Sequence, residues 1–156
     1  LDKCGLPGAN PRLVLFDLNP NCLHKAGHRL RRFRPIAKEA DILKPIEGLG
    51  ARFRSVGINY VLHCLPGDLT DKRKVFEHAA AWVEPGGVIF GSTLLGREVP
   101  LSWAARCQMR WLNSKGYFCN KHDSLSMLKA SLAAVLEDPH VEVQGCAALF
   151  SGRARH

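Results

Sequence analysis

The side chains that could do chemistry in this sequence stand where short apolar runs end. Asp17 and Asp41 each follow or close such a run, and Asn59, Tyr60 and His63 lie near the end of a third one. Ligands of open α/β sheets bind at the carboxyl ends of strands. A carboxylate there can accept hydrogen bonds from both hydroxyls of a ribose, and a histidine can act as a base near neutral pH. The pattern therefore predicts a ligand site at one edge of a sheet.

Each of these residues also has a purely structural interpretation. Asp17 could cap the following helix, but Asn19 already occupies the N-cap position, which favours a ligand role for Asp17. Asp41 could be a turn aspartate before Pro45, and this alternative stays open. A lone histidine in an apolar run is more often a structural hydrogen-bond partner than a base, so both roles of His63 stay open.

A strand, a helix and a second strand are predicted between Phe53 and Leu95. Both flanking runs are almost continuously apolar, as in strands that are buried on both faces of a parallel sheet. Asp68 or Thr70 can cap the helix, and Pro85-Gly86-Gly87 ends it. The apolar face of this helix is predicted to hold Val75, Phe76, Ala79, Trp82 and Val83, and the residues outside it are Lys72, Arg73 and Lys74.

The remaining elements follow from the same patterns of apolar spacing, caps and breakers. They are, in chain order, a strand over 13–16, a helix from the cap Asn19 with Pro20 at its first position, a strand over 36–42, a helix from about Ser102 to Leu112, a helix capped by Asp123 or Ser124, and a strand-like run over 141–154 that Gly145 bends or divides.

The segment from Phe53 to Leu95 resembles strand four, helix D and strand five of the class I S-adenosylmethionine-dependent methyltransferases. In that family a run like 59–63 ends strand four, and a Pro-Gly-Gly like Pro85-Gly86-Gly87 precedes strand five. The resemblance implies an α/β fold, a Rossmann-like three-layer sandwich with a mostly parallel sheet. Residues 1–156 would form a single methyltransferase domain, with 96–123 as a substrate-side insertion.

The resemblance also implies a cofactor site at the strand ends. In the family an acidic residue ending strand two holds the ribose of S-adenosylmethionine, and the next residue packs on adenine. An acidic residue after strand three approaches the adenine amino group. The implied cofactor-binding residues are Asp17, Leu18, Ala40, Asp41, Ile42, Asn59 and Tyr60, and the implied catalytic residues are His63 and Tyr60.

One part of the family pattern is missing from the sequence. The glycine-rich loop after strand one is absent, and Leu1–Cys4 resembles the helix that should follow it. The family's strand order is 3-2-1-4-5-7-6, so strand one is central. We expect a domain truncated at its N-terminus. The alternatives are a strand from another molecule, or direct pairing of strands two and four. Under this expectation the chain alone binds cofactor poorly, and its activity alone is doubtful.

The predicted function is methyl transfer from S-adenosylmethionine to a small-molecule acceptor. Aromatic residues such as Trp103 and Trp111, in the segment after strand five, suggest an apolar or aromatic acceptor, or else form core. A nicotinamide-dependent oxidoreductase is the first alternative, because Asp17 would serve a ribose equally well, although the glycine-rich fingerprint of that class is lacking. A non-catalytic binding module that keeps the fold is the second.

Composition narrows the other possibilities. The chain has 156 residues, of which 46% are apolar, and six cysteines without a C-x-x-C pair. This predicts a folded cytoplasmic protein with reduced thiols. Cys119 and His122 have half of a zinc spacing without a second half, so we expect no metal. No run has membrane-spanning length, so no membrane partner is expected, and a homodimer is left open.

The formal net charge is +8, and much of it lies in one stretch. This basic stretch consists of Lys25, Arg29, Arg31, Arg32, Arg34 and Lys38, with His24 and His28 nearby. It has neither interleaved aromatic residues nor a nucleic-acid-binding motif, so a solvated helix face is favoured over a phosphate-binding patch.

We therefore predict that the basic stretch binds no nucleic acid specifically. Binding of a duplex measured by fluorescence anisotropy should be weak, indifferent to base sequence and lost steeply as salt rises, because phosphate contacts alone would carry it. Nanomolar, sequence-selective binding at physiological salt would contradict this prediction.

Overall fold

The computed structural model describes residues 11–155. These residues divide after Glu47 into two compact units, a smaller one and a larger one. The helix that the sequence suggested at Leu1–Cys4 lies outside the described residues. None of the helices in the described part of the chain has the length and apolar character needed to span a membrane.

The smaller unit is one strand–helix–strand motif. Its elements are β1 (Val14–Asp17), α1 (Pro20–Arg29), a short 3-10 helix (Arg31–Phe33) and β2 (Ile36–Glu39). The two strands pair in parallel, so that Asp17 stands opposite Glu39. Helix α1 begins as predicted, because the Asn19 side chain accepts a hydrogen bond from the Asn21 amide and Pro20 occupies the first position.

The strand predicted over 36–42 is shorter than expected. It ends at Glu39, and the last link to β1 is the Ala40 amide, which donates to the Asp17 carbonyl. Beyond it the Asp41 carboxylate accepts from the Leu43 amide at 3.0 Å, which turns the chain away from the ladder. Short polar side chains often compete with a ladder in this way.

The basic stretch is solvated, as the sequence predicted. Five of its cations are exposed, namely Lys25, Arg29, Arg31, Arg32 and Arg34, and Lys38 is half-buried. The Lys38 ammonium donates to the Glu47 carbonyl.

The larger unit contains a four-stranded sheet in the order β3-β4-β6-β5. Its elements are β3 (Phe53–Asn59), a 3-10 helix (Leu62–Cys64), α2 (Arg73–Trp82), β4 (Val83–Leu94), α3 (Trp103–Ser114), α4 (Leu125–Val135), β5 (Leu136–Gln144) and β6 (Ala147–Ala154). Strands β3 and β4 are parallel, while β6 is antiparallel to both of its neighbours. Three strands therefore point one way and only β6 points the other.

The topology of the larger sheet agrees with one part of the predicted strand order. If β1 and β2 correspond to strands two and three of the family, the larger sheet has the order 4-5-7-6. Strands β1 and β3 belong to different sheets, so the direct pairing of strands two and four is not found among the described residues. Gly145 has a φ of 60° and divides β5 from β6, as the sequence suggested.

The start of β4 in the larger unit differs from the prediction. Pro85-Gly86-Gly87 was expected to be a loop before strand five, but β4 starts at Val83 and includes it as an irregular segment. The register shifts there, because Phe53 pairs with Val83 whereas Ser55 pairs with Val88. The positive φ of 77° at Gly86 lets the chain bulge out and rejoin the ladder.

The core of the larger unit lies between one face of the sheet and helices α2 and α4. Phe76 of α2 meets Phe150 of β6 edge to face, with ring centroids 5.5 Å apart. Ile89 on β4 and Leu128 and Leu132 on α4 are fully buried. Gly91 allows the close approach of β3 and β4, because a Cβ at that position would collide with the Ile58 carbonyl.

The structure corrects the predicted placement of Lys72 at the start of helix α2. The sequence analysis placed this lysine outside the apolar face, but its side chain is fully buried. Its ammonium donates to Asp123 Oδ2 at 2.7 Å and to the Cys119 carbonyl at 2.8 Å. Lys72 stands three and four residues before Val75 and Phe76, so it shares their side of the helix.

The sequence analysis also gave a different role to Asp123, the residue that pairs with Lys72. Asp123 was one of two expected helix caps, but Ser124 caps α4 by accepting from the Met127 amide. Asp123 is itself fully buried. Burial raises the pKa of Asp123, an effect that the hydrogen bond and charge of Lys72 partly offset.

We expect Lys72→Met to lower the free energy of unfolding by about 3–5 kcal/mol, because it leaves the Asp123 charge buried without a partner. Urea unfolding followed by circular dichroism measures this change. Lys74→Met removes an exposed lysine two residues away and should change little.

The double variant Lys72→Met with Asp123→Leu separates the ion pair from the packing. It should recover part of the lost stability, because no unpaired charge remains. A loss below about 1 kcal/mol for Lys72→Met alone would contradict a tightly coupled buried pair.

Candidate functional site

The predicted ribose residue lies at the carboxyl end of β1. Asp17 is exposed, and its Oδ1 accepts from the Asn19 amide at 2.8 Å. Within the described part of the chain, the Asn19 amide is the hydrogen-bond donor seen at the Asp17 carboxylate. Since Asn19 caps α1, Asp17 is not needed as the cap. Leu18 follows with 57% of its surface exposed, a large exposed fraction for an apolar residue that points to a surface a ligand could cover.

The residues Ala40, Asp41 and Ile42 lie just after the end of β2, beside Asp17. The Ala40 amide bonds to the Asp17 carbonyl, which fixes this neighbourhood. Asp41 is half-buried and holds a local turn, because it accepts from the Leu43 amide and forms an ion pair with Lys44 at 3.8 Å. This geometry favours the turn role that the sequence left open for Asp41. Its adenine role stays a prediction.

Asn59 and Tyr60 lie together at the end of β3 in the larger unit. Asn59 is exposed, and its Oδ1 accepts from the Ser92 hydroxyl at 3.3 Å. Tyr60 has a φ of 55°, a conformation that bulky residues rarely adopt, and 57% of its surface is exposed. Its amide still donates to the Ser92 carbonyl at 2.8 Å. Backbone strain of this kind is often found at functional sites.

The same strain explains why the strand ends earlier than predicted. The sequence analysis extended strand four through Leu62, with His63 at its end. Instead β3 stops at Asn59, and Leu62–Cys64 forms a 3-10 helix that places His63 inside the unit. His63 is only 3% exposed.

The surroundings of His63 favour its structural role. Nδ1 accepts from the Leu94 amide at 3.4 Å, so the neutral ring carries its proton on Nε2. Phe118 packs against the ring at 4.6 Å between centroids, and Tyr60 lies at 5.9 Å. Burial, followed by the charge of Lys72, lowers the pKa of His63 to about 4. A base with such a pKa is weak at neutral pH, and the catalytic role of His63 stays a prediction.

Hydrogen bonds of Asn113 and Asn120 hold the segment after β4 against the end of that strand. Asn120 is fully buried and donates to the Leu94 carbonyl at 2.9 Å. Its Oδ1 accepts from the Asn113 side chain, whose Oδ1 in turn accepts from the Asn120 amide. A Cβ at Gly96 would collide with the Asn120 carbonyl. The segment therefore packs tightly against the end of β4.

The aromatic residues of this segment do not form one surface. Trp103, Trp111 and Tyr117 are exposed, and Trp103 reaches 80%. Phe118 is half-buried against His63, while Met109 is buried. The core role that the sequence offered therefore fits Met109 and Phe118, while the interpretation as an aromatic acceptor site stays a prediction.

Sequence reasoning missed the polar groups that organise this region, namely Lys72, Asp123, Asn113 and Asn120. The spacing of Lys72 to Val75 and Phe76 was the one available signal that a charged residue lay on the apolar face. The partners lie 47 and 51 residues further along the chain, a distance at which local patterns carry no information.

The described part of the chain contains no group of three His, Cys, Asp or Glu side chains that could hold a metal ion. The half zinc spacing of Cys119 and His122 therefore acquires no further ligands there. Among residues 11–155 the cysteines form no disulfide bond with one another, and Cys22, Cys64 and Cys107 are exposed.

Comparison with known proteins places this geometry in a family. No protein-family model matches the chain. It is 38% identical over 150 residues to demethylluteothin O-methyltransferase of Streptomyces thioluteus, covering 96% of this chain and 65% of the relative. It is 41% identical over 117 residues to methyltransferase verB of Penicillium polonicum, covering 72% of this chain and 50% of the relative. The chain thus spans about half to two thirds of the length of these relatives.

A solved structure shares the fold. N-methyltransferase NodS from Bradyrhizobium japonicum, in complex with S-adenosyl-L-homocysteine, superimposes with a TM-score of 0.64. The sequences are 17% identical, and the superposition covers 93% of this chain and 67% of that one.

The burial of His63 predicts a pH dependence of stability. A pKa that is about 4 in the fold and 6.5 unfolded means that the unfolded state binds the proton more readily. Stability is therefore complete above pH 6.5 and is lost as pH falls, by about 3 kcal/mol at pH 4. Urea unfolding at a series of pH values measures this loss.

The variant His63→Gln isolates the effect, because glutamine does not titrate in this range. Its unfolding free energy should fall less between pH 7 and pH 4 than that of the unaltered chain. His122→Gln, which replaces an exposed histidine, should keep the full pH dependence. An unchanged slope in His63→Gln would show that other groups cause the loss.

Proposed function

Because this chain belongs to the class I S-adenosylmethionine-dependent methyltransferase family, we propose that it transfers a methyl group from S-adenosylmethionine to a small-molecule acceptor. The observation that carries the proposal is the sheet order 4-5-7-6 together with an acidic residue at the carboxyl end of β1. Strand ends of this kind are where α/β sheets bind nucleotide-like ligands.

The residues of the smaller unit fit the nucleoside part of this cofactor. Asp17 is exposed, and its carboxylate can accept from both ribose hydroxyls while it keeps its bond to the Asn19 amide. Leu18 offers exposed apolar surface that an adenine ring would cover. Ala40 and Ile42 follow the adjacent strand end, where the ring would find its second side.

In the larger unit Asn59 and Tyr60 are the residues that we propose to face the cofactor and the acceptor. Both are exposed at the end of β3, and their backbone is fixed by the Ser92 carbonyl. The Tyr60 hydroxyl can donate or accept a hydrogen bond, and its ring can stack on an acceptor.

The proposed methyl transfer requires mainly that the acceptor and the cofactor are correctly positioned. S-adenosylmethionine supplies a methyl group on a sulfonium, which is already a good leaving group. Holding the acceptor nucleophile in line with that methyl would supply most of the rate, since well-oriented reactants gain several kcal/mol. His63 would shape the wall behind Tyr60 through its edge contact with that ring. A catalytic base is thus not required of His63.

The names of the similar proteins are consistent with either oxygen or nitrogen as the atom that accepts the methyl group. One relative is named an O-methyltransferase, and the NodS structure is an N-methyltransferase. The proposal accordingly includes oxygen and nitrogen nucleophiles. An apolar or aromatic acceptor, a homodimer and a cytoplasmic location are further parts of the proposal.

The order of ligand affinities tests the cofactor. Isothermal titration should rank S-adenosylmethionine and S-adenosylhomocysteine above NAD, even if all three bind weakly. Tighter binding of NAD would favour the oxidoreductase alternative. Absence of binding by any of the three would favour the non-catalytic module.

Asp17→Ala tests the ribose assignment. We expect it to weaken S-adenosylhomocysteine binding by about 1.5–3 kcal/mol, the range for hydrogen bonds to a charged group, with an unchanged circular dichroism spectrum. Glu142→Ala, which removes an exposed carboxylate from β5, is the matched control and should bind as before. Equal affinity in a folded Asp17→Ala protein would remove the ribose assignment.

A further inference from the structure

A pocket of about 380 Å³ lies in the larger unit between helix α3 and the chain on either side of it. Its volume falls in the range of small-molecule sites. Leu101 and Met109 form the apolar part of the pocket wall, and Asn113 forms a polar part of it. The pocket is also lined by three positively charged side chains, those of Arg106, Arg110 and Lys121.

The cations converge because of helix geometry and chain reversal. Arg106 and Arg110 are four residues apart on α3, so they share one side of the helix. Lys121 comes from the chain that returns past the helix after the Asn120 anchor. All three side chains belong to exposed residues, and no ion pair joins them to a carboxylate within the described part of the chain.

Acidic residues near the pocket are already engaged. Between residues 96 and 122 the only acidic residue is Glu98, whose carboxylate accepts from the Ser126 amide and hydroxyl. Asp123, the next one along the chain, is held by Lys72. The positive charge around the pocket is therefore not neutralised by its neighbours.

The wall that carries these cations is held in place. The Asn113 side chain donates to the Met109 carbonyl and to Asn120 Oδ1, both at 2.8 Å. Asn120 is buried and bonded to the end of β4. The C-terminal half of α3 is thus fixed before a ligand arrives, which limits the entropy lost on binding.

We propose that this pocket binds an anionic group, a carboxylate or a phosphate, attached to an apolar body, and that the methyl acceptor is a molecule of this class. Guanidinium groups match the planar geometry of carboxylates and of phosphate oxygens, and the lysine adds a point charge. Leu101 and Met109 would contact the apolar body. The assignment to the acceptor rests on the proposed methyl transfer, whereas anion binding by the pocket does not.

NMR titration of the chain tests the pocket directly. The probes are benzoate, phenyl phosphate and the neutral benzamide. We expect benzoate or phenyl phosphate to shift the Gly96 amide and the Asn113 side-chain amide, with benzamide at least tenfold weaker. The stronger of the two anions identifies the acidic group. Equal binding of benzamide, or shifts confined to other residues, would overturn the proposal.

Charge-neutral variants sharpen the result. Arg106→Gln and Arg110→Gln should each weaken binding of the preferred anion about tenfold or more, as expected for loss of a charge-assisted hydrogen bond. Lys74→Gln removes the same unit of charge from exposed surface of α2 and should leave binding within about twofold. An equal loss in Lys74→Gln would indicate general charge attraction and would contradict a built site.

Binding of S-adenosylhomocysteine in the same samples separates the two proposals. Anion binding without cofactor binding would keep the pocket and reject methyl transfer. Cofactor binding without anion binding would keep methyl transfer and reject the anionic acceptor.

Discussion

The buried contact between Lys72 and Asp123 is the constraint on which the larger unit depends. Two charges removed from water are tolerated only if they meet each other in good geometry. Lys72 meets Asp123 Oδ2 and the Cys119 carbonyl, so it joins the start of α2 to the chain that leads into α4. The Cys119 amide in turn donates to the His63 carbonyl at 2.7 Å. One ammonium group thereby holds the wall behind the end of β3.

This arrangement also sets the electrostatics of the strand ends. The Lys72 charge and burial together keep His63 neutral, and its contacts with Phe118 and Tyr60 make the ring part of a wall. What reaches solvent at this edge is Asn59 and Tyr60, in a backbone conformation that the Ser92 carbonyl helps to hold. The proposed methyl transfer, whose co-substrate would already carry an activated group, would depend on such positioning more than on a strong base.

Much of the fold could be predicted from the sequence because its signals are local. The Asn19 cap with Pro20, the helix start near Ser102, Ser124 as one of two possible caps and the division at Gly145 rest on neighbouring residues and were confirmed. The strand order came from resemblance, since pairing is a long-range property. The premature end of β3 could not be predicted, because a positive φ at Tyr60 contradicts its local preference and is imposed by the surroundings.

The residues of the candidate site likewise fall into those that the sequence predicts and those that only the structure reveals. Asp17 follows from the strand pattern, and the structure places it at the end of β1, whereas Asp41 and His63 lie beyond the ends of β2 and β3. The buried side of Lys72 and the Asn113–Asn120 pair were missed, since their partners are brought together only by the fold. The cations of α3 are ordinary helix-surface residues in sequence, and only the pocket beside them suggests a ligand.

Transfer of a labelled methyl group is the measurement that tests the central claim most directly. The protein would be incubated with methyl-labelled S-adenosylmethionine and a set of phenols, amines and aromatic acids, and the products separated by mass spectrometry. We predict that the label moves to one class of acceptor with formation of an equal amount of S-adenosylhomocysteine. Label that stays on the cofactor with every acceptor, in a protein shown to bind that cofactor, would contradict the assignment of this chain as a methyltransferase.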